Sequence, residues 1–179
     1  MHFYIDKKDF TKNYGLFTAI GIIVASIALC YILFHNPYKK IHQQIFEIAA
    51  RTTNYYRERP GYWNLSTDSA REDGLIKEAE NGLSEYDITI GQGVDGNLSM
   101  PSSQSFDVAL KHLSKSACIS LLEQELSAEQ KLSLIQITVI NSDGQTDFSW
   151  GSEHKLPIER YTSRDVCAIK ENTLMWTFQ

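Results

Sequence analysis

Twenty consecutive residues near the start of the chain, Gly15 to Phe34 (GLFTAIGIIVASIALCYILF), carry no charged side chain. A helix of ~20 apolar residues matches the thickness of a bilayer's hydrocarbon core, so the run reads as a single membrane span. The rest of the fold must then be built around a helix that rests in lipid or against other helices. A secretory signal has a shorter apolar core, ~7 to 15 residues, followed by small residues at a cut site. Here the run passes directly into His35-Asn36-Pro37-Tyr38-Lys39-Lys40. The competing reading is a helix buried in a soluble core. Basic flanks do not orient the span, because Lys7, Lys8 and Lys12 precede it while Lys39 and Lys40 follow it.

With the span set aside, the remainder of the 179 residues is enough for one globular domain. The 17 basic and 22 acidic side chains, net −5, are interspersed along the chain, which leaves no electrostatic footprint for nucleic acid. Cys30 lies inside the apolar run, and Cys118 and Cys167 lie beyond it. Their spacing fits no zinc pattern, and none of His2, His35, His42, His112 and His154 completes one, so no metal is expected. Two readings of Cys118 and Cys167 stay open: buried free thiols, or a disulfide. The disulfide would stabilise by roughly 3 to 4 kcal/mol and needs an oxidising compartment.

Past Pro37, a possible helix kink, apolar residues recur at Ile41, Ile45, Ile48, Thr52 and Tyr55 in the spacing of one helical face. The helix is expected to run until Arg59-Pro60-Gly61 stops it. Ser66-Thr67-Asp68-Ser69 is helix-start chemistry ahead of a short helix over Ala70–Ala79. YDITI, NLSM and SFDVAL read as strand material, and a second helix is predicted over Val108–Glu125. Ser127-Ala128-Glu129-Gln130 forms a capping-box pattern. Ser133–Asn141 is the clearest strand, Ser142-Asp143-Gly144 a turn, and TLMWTF (173–178) a terminal strand. The fold class is α+β: a long N-terminal helix packed on an antiparallel sheet.

No catalytic set stands out. GxSxG, HExxH and phosphate-loop patterns are missing, and GQGVDG (91–96) lacks the lysine and helix a phosphate loop needs, so it reads as a loop between strands. Asp143-Gly144 reads as a hairpin turn rather than part of a calcium site. Tyr86, Phe148, Trp150 and Trp176 read as core or edge-strand aromatics. Neither an enzymatic activity nor a cofactor is expected.

The residues around the two distal cysteines, SKSACISLLEQ at Cys118 and VCAIKENTLMWTF at Cys167, together with GYWNLST (61–67) and GLI (74–76), resemble the type IV pilins, specifically their IVb branch. That resemblance covers the chain after residue 14 and implies a Cys118–Cys167 disulfide bounding the C-terminal region of a pilin head. It implies a leader over 1–15, an N-terminal helix over 16–58 with its transmembrane half at 16–34, and a globular head over 59–179. Prepilin peptidase would cut between Gly15 and Leu16. The family keeps a glutamate five residues past the cut, where this chain has Ile20; cutting at Gly21 instead would put Ser26 there. In a filament that carboxylate pairs with the N-terminal amine of a neighbour, because an unpaired charge in an apolar bundle is costly.

Ile20 admits a minor, tip or initiating pilin, the reading favoured here, an uncleaved bitopic component of a secretion or conjugation apparatus with a partner-binding head, or another cleavage register. The expected partners are other pilin subunits through the N-terminal helix, prepilin peptidase, the inner-membrane assembly platform and the membrane. The expected location is the bacterial inner membrane with the head in the periplasm, then the extracellular pilus.

Overall fold

The computed structural model describes residues 18–26, 37–77, 86–94 and 101–179. The chain divides into two compact units, Met1–Asn36 and Pro37–Gln179. In the first, residues 18–26 are helical (α1), with exposed side chains. Among the described residues no helix is long and apolar enough to cross a membrane. Most of the charge-free run from Gly15 to Phe34 lies outside them, as do the leader, Cys30 and the strand expected at NLSM.

The second unit is built on a five-stranded antiparallel sheet in the order β1-β2-β5-β3-β4, where β1 is Asp87–Val94, β2 Pro101–Leu113, β3 Leu134–Asn141, β4 Gly144–Ser149 and β5 Asn172–Phe178. The last strand of the chain is therefore the central one. Period-two alternation puts Phe106, Val108 and Leu110 of β2, Leu174, Trp176 and Phe178 of β5, and Ile137 and Val139 of β3 on one face, all buried. Register aligns Val108 with Trp176 and Ile137, and Leu110 with Leu174 and Val139. The opposite face mixes Ala109, Met175 and Ile140 with polar pairs bonded across strands: Thr177 Oγ1 donates to Asp107 at 2.6 Å, and Thr138 Oγ1 donates to Asp147 at 2.7 Å.

Among the described residues of this unit, α2 (Pro37–Tyr56) and α3 (Thr67–Glu72) precede β1, α4 (Lys115–Leu122) and α5 (Ala128–Ser133) lie between β2 and β3, and α6 (Arg160–Val166) lies between β4 and β5. Helix α2 lays Ile41, Ile45 and Ile48 into the same core as the apolar sheet face. The expected chemistry at Ser66 holds, since its hydroxyl and that of Ser69 form a reciprocal capping box. Helix α3 is nonetheless shorter than predicted, because Gly74 takes a left-handed φ of 69° just beyond it. Over its length Thr67 Oγ1 bonds both the N–H and the carbonyl of Ile90, occupying the free edge of β1.

Two assignments change. The helix expected from Val108 starts only at Lys115, with Ser114 Oγ accepting from the Ala117 N–H. Residues Val108–Leu113 are strand, because their backbone pairs with β1 and β5 while Val108, Leu110 and Leu113 are buried in the core. The first four residues of GQGVDG are not a loop: Gly91 to Val94 belong to β1, with an irregularity between Gln92 and Gly93. The glycine has a steric cause, since a Cβ on Gly93 would lie 2.2 Å from Ser105 Oγ. Helix α6 had no counterpart in the expectation.

Candidate assembly surface

Helix α2 presents two faces of different chemistry. The inner one carries Ile41, Ile45, Ile48, Ala49 and Tyr56 with the buried polar side chains of His42, Gln44 and Thr52. Thr52 satisfies its hydroxyl within the helix by donating to the Ile48 carbonyl at 2.9 Å. An uninterrupted series of ring contacts ties the helix to the sheet. His42 meets Phe46 at 4.8 Å between centroids, and Phe46 stands edge-on to Phe178 at 5.3 Å. Phe178 stacks on Phe106 at 5.4 Å, and Phe106 meets Tyr62 at 4.6 Å, which meets Tyr56 at 5.4 Å. Both ends of α2 are thereby fastened to β2 and β5, each ring pair adding ~0.5 to 1.5 kcal/mol beyond its buried area.

His42 is only 4 % exposed. Burial lowers its pKa from 6.5 to about 4, which keeps the imidazole neutral at neutral pH. At the far end of the helix, burial pushes the Tyr56 phenol up, opposed by the nearby Arg59 guanidinium. That guanidinium lies 4.3 Å from the Tyr55 ring centre and 5.0 Å from that of Tyr56.

The outer face carries Lys39, Lys40, Gln43, Glu47, Ala50 and Asn54, all exposed. Between it and α5 runs a groove of about 550 Å³ whose lining includes Phe46, Ala49 and Ala50 together with Glu47 from one wall and Glu129 from the other. The position of α5 is set locally and by the chain end. The predicted capping box forms between Ser127 and Gln130, and the Gln179 N–H donates to the Ser133 carbonyl at 3.1 Å. Leu132, within α5, is 88 % exposed.

Cys118 of α4 and Cys167, the residue that ends α6, are joined by a disulfide, both buried. The bridge therefore fastens α4 to α6 and not to the terminal strand itself. Beside it, Glu123 accepts from Ser163 Oγ at 3.1 Å and pairs with Arg160 at 3.5 Å. Asn172, at the start of β5, closes this region. Its amide donates to the Leu113, Ala168 and Lys170 carbonyls, and its oxygen accepts from the Ala168 N–H at 2.8 Å. Sequence reasoning missed Asn172 and His42, as nothing local marks either as buried.

Of the other residues singled out, Ile20 lies in α1 and is 48 % exposed. Gly15 and Leu16 are outside the described residues. Pro37 opens α2, and any kink there would involve residues 27–36, also outside them. Ser142 and Asp143 form the β3–β4 turn and Gly144 opens β4; the Asp143 N–H donates to Asn141 Oδ1 at 2.9 Å. Phe148 and Trp176 are core, Tyr86 packs against it, and Trp150 is part exposed with its indole N–H on the Leu134 carbonyl at 2.7 Å. Among the described residues no three His, Cys, Asp or Glu side chains gather as a metal site.

A spine helix laid on an antiparallel sheet, with the terminal strand central and a disulfide bounding the C-terminal region, is the fold of the type IV pilins. The chain is similar to the crystal structure of TcpA, a type IV pilin from Vibrio cholerae El Tor biotype, with a TM-score of 0.56 and 13 % identity over 79 % of this chain and 98 % of that one. A type IVb pilin from Salmonella typhi aligns with a TM-score of 0.48 and 14 % identity over 75 % of this chain and 95 % of that one. No protein-family model and no curated protein sequence matches the chain.

Proposed function

We propose that this chain is a structural subunit of a type IV pilus, held in the inner membrane by its N-terminal helix and displaying its head outside the cell after assembly. The observation that carries this reading is the pilin fold of the head, with α2 packed along the sheet; in the sequence, the charge-free run Gly15 to Phe34 comes shortly before Pro37. That run is suited to lipid before assembly and to a bundle of like helices afterwards. Prepilin peptidase acts between Gly15 and Leu16, and the mature chain passes through the inner-membrane assembly platform. Ile20 supports a narrower placement, in few copies at the start or end of the filament, since no carboxylate stands at that position to neutralise a neighbour's amine.

The test is the mass of the mature N-terminus in cells with and without prepilin peptidase, together with recovery of the protein in sheared filaments. The expected result is a chain that begins at Leu16 only when the peptidase is present and that co-purifies with pili. An uncut chain confined to the membrane fraction would replace this reading with that of a bitopic component of a secretion or conjugation apparatus.

A further inference from the structure

We propose that the groove between α2 and α5 is the docking site for a second copy of this chain, which enters it with the foot of its own α2. The inference rests on the reading of the chain as a pilus subunit and names the partner of that assembly surface. Glu47 and Glu129 face the groove from its two walls, and among the described residues neither carboxylate has a hydrogen bond or ion pair. Phe46, Ala49 and Ala50 contribute apolar lining, and the two alanines let another helix approach closely. Leu132, elsewhere on α5 and outside the groove lining, is 88 % exposed. The site therefore calls for a helical face that combines basic heads with apolar stems.

The start of α2 is such a face. Lys40 is exposed there, seven residues before Glu47 and so on the same side of the helix two turns below it. Two parallel copies displaced by about 10 Å along α2 bring Lys40 of one level with Glu47 of the other. The lysine stem can then lie along the apolar lining while the ammonium meets the carboxylates. Parallel alignment follows from the proposed function, which puts both N-terminal helices on one side. The contact sets the lower part of this helix face on one copy against the upper part of the same face on the other, so the pair is parallel and staggered.

The test uses the full-length protein in pilus-producing cells, with Cys30→Ser as background. One tagged copy carries Gln43→Cys and a differently tagged copy carries Ala50→Cys, positions that the seven-residue offset brings level. Mild oxidation of sheared filaments is expected to give a mixed dimer, with neither variant forming a dimer when it is the only copy present. Lys40→Glu, and separately Glu47→Lys with Glu129→Lys, are each expected to lower recovery in filaments by about tenfold, and the combined charge swap to restore most of it. An intact Cys118–Cys167 bridge and an unchanged melting temperature show that each variant is folded. Dimers of a single variant (an antiparallel pair), bridging to a different protein, or recovery indifferent to the charge reversals would each overturn the inference while leaving the pilus reading in place. Absence of the unmodified protein from sheared filaments would instead overturn that reading, and this inference with it.

Discussion

His42 is an imidazole held where its charged form has little water, and the consequence is a defined acid sensitivity. Its pKa falls from 6.5 in a solvated chain to about 4 in the folded head. Between those values the unfolded chain binds the proton and the folded one does not, so stability is fully present above about pH 6.5, declines as pH falls, and levels off below about pH 4. The group can account for on the order of 3 kcal/mol across that window. Glu123 and Glu125 line the same cleft as His42, and the effect of the imidazole is read as a difference between proteins. The expected outcome is that the drop in unfolding free energy of the head from pH 7 to pH 4.5 is smaller in His42→Leu than in the unmodified protein. Equal drops in the two proteins would show that His42 is not the titrating group. Neither His42 nor Asn172 stood out in the sequence, because the burial of a polar side chain is decided by partners remote along the chain. The Asn172 amide finds the Leu113 carbonyl 59 residues away.

Elements were legible where local chemistry and tertiary demand agree. The Ser127–Gln130 capping box, the Ser142-Asp143 turn and the terminal strand each carry a short-range signal that the fold leaves intact. Val108–Leu113 was misassigned because alanine, leucine and lysine favour helix locally, whereas Val108 and Leu110 are wanted on the apolar face of a strand between β1 and β5. Gly91 and Gly93 suggested a loop for the same reason, when one of them serves close packing against Ser105. The pairing of Cys118 with Cys167 was legible only through resemblance, since two cysteines 49 positions apart say nothing by themselves about distance in space. The bridge holds two helices of only 8 and 7 residues, too short to persist alone. Cys118→Ser is therefore expected to cost about 3 to 4 kcal/mol and to lower the melting temperature by about 10 °C. The unmodified head under reducing conditions should fall by a similar amount. A calorimetric scan showing no difference between oxidised and reduced protein would remove the bridge as a structural clamp.

At the scale of the whole molecule, the head's own core includes the inner face of α2, so the second unit has what a folded domain needs without the first. Deleting residues 1–36 is accordingly expected to give a soluble head that unfolds in one cooperative transition under oxidising conditions, followed by circular dichroism in urea. A broad, non-cooperative transition would mean that the head depends on its N-terminal run or on a neighbouring subunit. What the deletion removes is the part proposed to set the place of the subunit in a filament. A subunit inside the shaft has neighbours above and below and needs its N-terminal amine neutralised, because an unpaired charge in an apolar helix bundle costs several kcal/mol. With isoleucine at position 20 the chain supplies no carboxylate there, whereas a subunit at an end lacks one of those neighbours and the missing charge does no harm. The expected outcome is sparse immunolabelling of the unmodified protein at filament ends. Ile20→Glu should raise the number of copies along the shaft severalfold without increasing the number of filaments started. Dense, regular labelling of the shaft by the unmodified protein would show that its amine is neutralised by another group, and would make it a major subunit.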